Sequence, residues 1–266
     1  MSTINQPSEE KKLELEKKLL EAVNDLSLCK KENEEFVYIA SHDLKSPLRK
    51  LSNFTQLLRR KLPEVLSEEA ISYFEKIEKT IADMQSLIDG LSALAEVKES
   101  NDYKACDLNM IIEQVLQESS VWIKQKNATI NLCPLPVLNV NFIQLKEVFK
   151  NIIDNSLMFQ PEGQRPQITI RSEILSLEEK IYFNLDKEKV YYKIKFADNG
   201  IGFKQENADQ IFKPFGRLNG RSAFPGNGFG LAICNKIIKM HHGILFATGA
   251  ENCGSVFILL LPKIPQ

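Results

Sequence analysis

The sequence has no apolar run near the roughly 18 to 20 residues that a helix needs to span a bilayer. Its longest apolar stretches, such as Val256 to Leu261, are short enough for buried strands. The amino terminus, from Met1 to Glu10, lacks the apolar segment of a signal peptide. We therefore expect a cytoplasmic chain with no membrane segment.

An excess of charge of either sign is also missing. Lys and Arg number 34, Asp and Glu number 35, and the formal net charge is -1. This balance argues against nucleic acid or anionic lipid as the main partner, because either would select a basic surface. The five cysteines contain no C-x-x-C pair, which is typical of free thiols in a reducing compartment.

Glycine is absent before Gly90, and the first third of the chain has the spacing of two long helices. In the first helix, steps of four and three predict a coiled-coil seam. Its positions are Leu15, Leu19, Ala22, Leu26, Cys29, Asn33 and Phe36, continued by Ala40, Leu44 and Leu51. Pro47 predicts a bend just after residue 43, and the helix is expected to end near Pro63.

The second helix is predicted to begin after an N-cap at Ser67 and to run to about Val97. It carries a similar stripe, made of Ile71, Phe74, Ile77, Ile81, Met84, Ile88, Leu91 and Ala95. A hairpin of two such helices leaves an apolar stripe exposed, so a second copy is its expected cover in a dimeric four-helix bundle. The alternative is a hairpin that packs against the rest of its own chain.

A polar stretch, Lys98 to Asp107, is the predicted domain boundary. Beyond it, helices and strands are mixed, which predicts an α/β sandwich with helices on one face of a sheet. The predicted helices are 108–124, 142–159 and 229–240, and the predicted strands are 129–133, 167–175, 190–197, 244–249 and 255–261. The charged stretch 176–189 is expected to be an excursion at the sheet edge.

A histidine and an aspartate stand side by side on the first helix. His42 lies one step off the seam and should face solvent, and Asp43 can accept a proton from one imidazole nitrogen. The other nitrogen would then be a neutral nucleophile. Taken alone, the pair does not distinguish a nucleophile from an ordinary solvated helix surface.

The second half of the chain contains residue types that suit a nucleotide. Asn151 and Asn155 are one turn apart on a predicted helix, where amide oxygens can bind Mg²⁺. Asp198 follows a predicted strand and can accept a hydrogen bond from the amino group of adenine, whereas guanine presents an acceptor there. Gly200 and Gly202 let a flat base approach the backbone. Gly226, Gly228, Gly230 and Leu231 open a helix whose free amides suit a triphosphate.

In this order the motifs resemble the transmitter core of bacterial two-component sensor histidine kinases, over about residues 36 to 262. The matching segments are the H box at His42, the N box at 151–159, the first glycine box at 198–202, the F box at 212–215 and the second glycine box at 226–230. Residues 217–226 are similar to the nucleotide lid of the subgroup joined to phytochrome or PAS sensors.

The resemblance implies that His42 takes the γ-phosphoryl group of ATP, with Asp43 as the base, and passes it to an aspartate of a response regulator receiver domain. Ser46 stands where the family usually has Thr or Asn to position water for dephosphorylation. Asn155 would bind Mg²⁺, and Arg217 would neutralise the γ-phosphate. The implied nucleotide-binding residues are Asn151, Asn155, Asp198, Gly200, Gly202, Phe212, Arg217, Gly226, Gly228, Gly230 and Leu231.

The implied fold class is α+β: a helical hairpin that forms a dimeric four-helix bundle, then a Bergerat-type ATP-binding sandwich. The implied domains are a signalling helix or coiled-coil linker at 1–35, a dimerisation and phosphotransfer domain at 36–98, and a catalytic domain at 105–264. Residues 1–35 equally fit a short native amino terminus, so an upstream sensor domain and a separate sensor partner both stay open.

Met158 departs from the family, which often has Lys or Arg there as a phosphate contact. This departure leaves a decayed, non-enzymatic dimeric scaffold as one alternative. Another is an ATPase of the gyrase or chaperone kind. Those enzymes carry a glutamate one turn before the metal-binding asparagine as the base for water, whereas this chain has Asn151, which cannot take a proton.

Overall fold

The computed structural model describes residues 6–61, 67–100, 102–216 and 226–264. The chain divides into two compact units, with the boundary between Glu96 and Val97. Within the described ranges, no helix is both long and apolar enough to cross a bilayer.

The first unit is a pair of helices, α1 (Gln6–Lys61) and α2 (Glu68–Glu96). Pro47 lies inside α1, which continues on both sides of it, so the expected bend does not interrupt the helix. The Ser67 hydroxyl accepts a hydrogen bond from the Ala70 N–H at 3.2 Å, which confirms the predicted N-cap of α2. The expected end of α1 near Pro63 lies outside the described residues.

Each helix of the pair buries a set of residues spaced by seven. Ser41, Leu48 and Thr55 are buried on α1. Ile81, Ile88 and Ala95 are buried on α2, with which α1 makes extensive contacts. Ion pairs join the two helices, Lys45 to Asp89 at 2.9 Å and Arg59 to Glu78 at 2.8 Å. The spacing of seven places each buried set on one face of its helix.

Much of the predicted seam lies on a different face from these buried residues. Leu44 and Leu51 of α1 are 52% and 53% exposed. Ile77 and Met84 of α2 are 48% and 46% exposed. An apolar face of this size stays unfavourable in water unless something covers it, and none of the described residues of this unit does.

If a second copy covers this face, a fragment of residues 1–98 should be a helical dimer whose melting midpoint rises with concentration. Leu51→Glu should make the fragment monomeric, because it places like charges at the apolar contact. Lys50→Glu is the matched control on the neighbouring exposed position and should leave the dimer intact. Sedimentation equilibrium measures both. A monomeric wild-type fragment at tens of micromolar would contradict the bundle.

The second unit contains two sheets and five helices among its described residues. The larger sheet has the strand order β2-β4-β5-β7-β6, and β1 pairs with β3 in a two-stranded sheet. The strands are β1 (Lys104–Asp107), β2 (Thr129–Leu132), β3 (Val137–Val140), β4 (Gln167–Ile174), β5 (Tyr191–Asp198), β6 (Ile244–Gly249) and β7 (Ser255–Pro262). The helices are α3 (Leu108–Glu118), α4 (Ser120–Gln125), α5 (Phe142–Met158), α6 (Leu177–Tyr182) and α7 (Gly230–Met240).

Three parts of the sequence-based prediction for this unit change. Lys104–Asp107 is strand β1 rather than part of a polar linker, and its partner β3 had not been predicted. The helix expected over 108–124 is two helices, α3 and α4, which meet at Ser119. The excursion 176–189 contains α6, which begins with a capping box between Ser176 and Glu179.

The larger sheet is covered on one face and partly covered on the other. On one face α5 and α7 complete the main core, where the ring of Phe149 packs on Phe196 with 5.2 Å between centroids. On the other face, Leu175, Tyr191, Ile258 and Leu260 form a second cluster. Phe183 and Leu185 of the excursion pack against that cluster. The excursion therefore covers a face of the sheet, because its apolar residues gain burial there, and it is not an edge feature.

Asn141 connects α5 to two other segments. Its side-chain oxygen accepts a hydrogen bond from the Gln144 N–H, and its amide nitrogen donates to the Ser100 hydroxyl. Its backbone N–H donates to His241 Nε2 at 3.1 Å, at the end of α7. Burial lowers the pKa of His241, which favours the neutral imidazole that can accept this bond. The start of α5 is thus tied to the end of α7.

Candidate functional site

A cavity of about 280 Å³ opens between α5, the loop after β5, the start of α7 and β7. It is lined by Asn151, Asp154, Asn155, Met158, Phe159, Asp198, Ile201, Gly202, Phe203, Ile211, Gly216, Gly226, Asn227, Gly228, Gly230, Leu231, Ser255 and Phe257. Apolar side chains with a few convergent polar groups are typical of a small-ligand site. Most of the residues predicted from the glycine-rich and asparagine motifs meet here.

The polar wall of the cavity comes from α5. Asn151 and Asn155 are half-buried, one turn apart, and both line it. The side-chain amide of Asn151 donates to the Glu147 carbonyl at 3.0 Å. A Cβ at Gly230 would lie 2.7 Å from Asn151 Oδ1, so glycine lets α7 approach this side chain closely. Asn151 and Asn155 therefore share one face of α5, as the sequence predicted.

The donor set of this wall fits a magnesium ion that is shared with phosphate. Asn155, Asn151 and Asp154 offer amide and carboxylate oxygens, which Mg²⁺ prefers. Among the residues described, no group of three or more His, Cys, Asp or Glu side chains could hold a metal alone. A divalent ion here would therefore need water and phosphate oxygens to complete its coordination.

Asp198 lies at the end of β5 and is surrounded by hydrogen-bond donors. Its Oδ1 accepts from the Gly200 N–H at 2.8 Å and from the Ser255 N–H at 3.2 Å. Its Oδ2 accepts from the hydroxyls of Ser255 at 2.7 Å and Ser156 at 3.3 Å. Burial raises the pKa of Asp198, and these hydrogen bonds act against that rise.

Glycine is required around Asp198 because the backbone segments approach one another closely. Gly202 has φ of +59°, and a Cβ there would lie 2.0 Å from the Ala250 carbonyl oxygen. Gly254 has φ of +83°, and a Cβ there would lie 2.0 Å from the Asp198 carbonyl oxygen. A Cβ at Gly200 would meet the Phe159 carbonyl oxygen at 2.3 Å. Gly254 was missed in the sequence because it lies far from the glycine-rich motifs.

The second group of glycines shapes the entry to α7. Gly226 and Gly228 have φ of +128° and +74°, conformations that other residues rarely adopt. Gly228, Gly230 and Leu231 line the cavity, and α7 begins at Gly230. The free N–H groups of the first helical turn are therefore placed beside the cavity, as predicted.

Three predicted residues are not in the described lining. Gly200 lies beside the lining residue Asp198, to which its N–H donates. Phe212 is half-buried on a short 3₁₀ turn, and within the described lining it is its neighbour Ile211 that faces the cavity. Arg217 and residues 218–225 of the proposed lid (217–226) lie outside the described residues. The lining also includes Phe159, Phe203 and Phe257, whose apolar character gave no functional signal in the sequence.

The predicted nucleophile is on α1 of the first unit. His42 Nδ1 lies 3.3 Å from Asp43 Oδ1, and the two side chains are 77% and 75% exposed. Ser46, one turn later, is also exposed, whereas the neighbouring Ser41 is buried. His42 is thus off the buried face, as predicted, and its Nε2 is available to solvent when Nδ1 carries the proton.

Known families and proteins match both units. Residues 32–100 match the His Kinase A (phospho-acceptor) domain, and residues 141–265 match the histidine kinase-, DNA gyrase B-, and HSP90-like ATPase family. Cyanobacterial phytochrome A of Nostoc sp. is 31% identical over 92% of this chain and 30% of its own length. Phytochrome-like protein Cph1 of Synechocystis sp. is 30% identical over 92% of this chain and 31% of its own length.

The chain therefore spans about a third of the length of these curated relatives. Among solved structures, full-length ShkA in complex with AMPPNP is similar, with a TM-score of 0.59 and 19% identity. That alignment covers 87% of this chain and 46% of ShkA. At 19% identity, this similarity is evidence for the fold alone.

The close approach at Gly254 can be separated from its positive φ. Gly163 has φ of +76°, but a Cβ there would have no atom within 4 Å. Gly163→Ala should therefore cost only about 1–2 kcal/mol, for the left-handed backbone. Gly254→Ala should cost at least roughly 3 kcal/mol, because its methyl group meets the backbone of Asp198 as well. Urea unfolding of both variants measures the difference, and equal costs would contradict the close approach.

Proposed function

Because the chain belongs to the histidine kinases and joins their phosphoacceptor helices to their ATP-binding domain, we propose that it phosphorylates itself on His42. The phosphoryl group then passes to an aspartate of a response regulator receiver domain. The observation that carries this proposal is the exposed His42, whose Nδ1 faces Asp43 in the same chain as a cavity lined by asparagine, aspartate and glycine residues. An ATPase would leave His42 and its neighbour without a role.

In the proposed reaction, His42 Nε2 forms a bond to the γ-phosphorus while the bond from that phosphorus to the β,γ-bridging oxygen breaks, and ADP leaves. Asp43 would hold the proton on Nδ1 and so keep the attacking lone pair on Nε2. Asp198 would accept the adenine amino group, and the amides at the start of α7 would face the phosphates. Mg²⁺ held by Asn155 would offset the negative charge of the phosphates.

The exposed apolar face of the hairpin supports a homodimer through a four-helix bundle. The receiver domain of a response regulator is the proposed partner, because phosphate on His42 would be accessible from solvent. The relatives that are named phytochromes support an upstream sensor domain or a separate sensor as the source of the signal. Ser46 is exposed one turn from His42, where a hydroxyl can orient water for a phosphatase reaction.

His42→Gln should abolish incorporation of label from γ-labelled ATP while leaving the oligomeric state unchanged, because His42 lies off the buried face. His242→Gln, which changes an exposed histidine of the other unit, is the matched control and should label normally. The wild-type label should be acid-labile and base-stable, as a phosphoramidate is. Wild-type labelling of the His42→Gln protein would mean that another residue is the nucleophile.

Met158→Lys should tighten ATP binding, because Met158 is half-buried, lines the cavity and stands one turn after Asn155. A charge pair of about 1 kcal/mol corresponds to roughly a fivefold gain in affinity. The gain should shrink at high salt. Calorimetric titration with a non-hydrolysable ATP analogue measures it, together with the melting temperature.

The matched control is Met110→Lys, which adds the same charge at a position on α3 that is 59% exposed. It should leave the affinity unchanged. A folded Met158→Lys protein with no gain at low salt would show that the site does not lack a phosphate cation. In that case Arg217 or Arg221 would be the residues to replace next.

A further inference from the structure

The carboxylate of Asp198 accepts four hydrogen bonds in this structure, one of them long. A carboxylate offers about four lone-pair sites, two on each oxygen. Oδ1 accepts from the N–H groups of Gly200 and Ser255, and Oδ2 accepts from the hydroxyls of Ser255 and Ser156. If adenine donates its amino N–H to Asp198, it competes with these four donors.

Ser156 is the donor that can leave most readily. Two of the others are backbone N–H groups, which cannot turn away without moving the chain. The Ser255 hydroxyl is held at 2.7 Å, whereas the Ser156 hydroxyl is at 3.3 Å, the longest of the four contacts. Ser156 lies inside α5, and a serine on a helix can turn its hydroxyl to the carbonyl four residues earlier, here that of Ile152.

We propose that the Ser156 hydroxyl competes with the adenine amino group for Asp198 Oδ2 and gives up this contact when nucleotide binds. Ser156 is then a positioning residue that acts through Asp198 and sets how strongly the adenine contact is made. The inference rests on the proposed function, because it takes Asp198 as the group that accepts the adenine amine. Ser156 is 2% exposed, so water cannot readily replace its hydroxyl at this position.

The Ser156 hydroxyl has opposite effects on Asp198 and on nucleotide binding. Its hydrogen bond stabilises the charged form of Asp198, whose pKa is raised by burial. When nucleotide binds, the same hydroxyl is a competitor that the ligand must displace. The only other charged side chain in the described lining is Asp154, which pairs with Lys150 at 2.6 Å and accepts from the Ser119 hydroxyl.

The sign of the pH dependence follows from these two effects. Without Ser156, the pKa of Asp198 should rise further, because a hydrogen bond to the charged form is lost. More Asp198 is then protonated at low pH, and a neutral carboxyl accepts the adenine amine less strongly. At high pH Asp198 is ionised in either protein, and the variant no longer has a donor to displace.

The test compares Ser156→Ala with the wild-type full chain. Affinity for a non-hydrolysable ATP analogue is measured by calorimetric titration from pH 5 to pH 8.5. The ratio of the two affinities is used, because titration of the ligand itself cancels in it. We expect the variant to bind as tightly as wild type or several-fold more tightly at pH 8.5. It should bind more weakly at pH 5, with its acid limb displaced upward, because a hydrogen bond to the charged form of Asp198 is lost.

Two controls separate the possible causes. Ser172→Ala removes a hydroxyl that donates to the Pro134 carbonyl instead, and its ratio should be one at every pH. Asp198→Asn should bind the analogue weakly, and its affinity should change less with pH than that of wild type. Melting temperatures of all variants are measured over the same pH range, so that loss of folded protein is not read as loss of affinity.

A ratio that is constant over the whole pH range would overturn the inference. A constant loss would mean that Ser156 only packs, and a ratio of one would mean that it has no effect on Asp198. Either result leaves the proposed function in place, since wild type still binds nucleotide. If wild type does not bind the analogue at any pH, the proposed function fails instead.

Discussion

The site depends on the amphipathic character of α5. One face of this helix, with Leu145, Phe149 and Ile152, has no exposure to solvent and fills the core against the sheet. Because side chains repeat every 3.6 residues, burying that face fixes the direction of Asn151 and Asn155 on the next one. The hydrogen bonds of Asn141 hold the start of α5 beside the end of α7. The packing of α5 in the core thus positions the polar groups of the cavity.

Much of this arrangement was predictable from local pattern, and the exceptions have physical reasons. The asparagine spacing, the aspartate after β5 and the glycines before α7 depend on residues near one another in sequence. Strands β1 and β3 were missed because each has four residues, and prolines precede β3. The excursion was assigned to the sheet edge from its charges, whereas Phe183 and Leu185 decide where it packs.

The residues around Asp198 show where prediction from one sequence stops. Ser156 lies 42 positions before Asp198 and Ser255 lies 57 after it, so only the fold brings the three side chains together. Gly254 likewise has no motif around it, yet β7 can approach β5 at this point only without a Cβ. The helical hairpin is a further case in which the fold decides what the sequence leaves open. Its seam pattern was evident, but the sequence did not distinguish the face that joins α1 to α2 from the face left exposed.

Charge at the phosphate end of the cavity is the remaining constraint. The described lining contains Asp154 and Asp198 as its only charged side chains, and the nearby Lys150 already pairs with Asp154. A triphosphate carries several negative charges, and the described lining offers it no positively charged side chain. Attraction has to come from the free amides at the start of α7, from a divalent ion, and from any cation that residues 217–225 supply. Since Met158 adds no charge, the ion and the nucleotide should bind as one unit, each weakening when the other is absent.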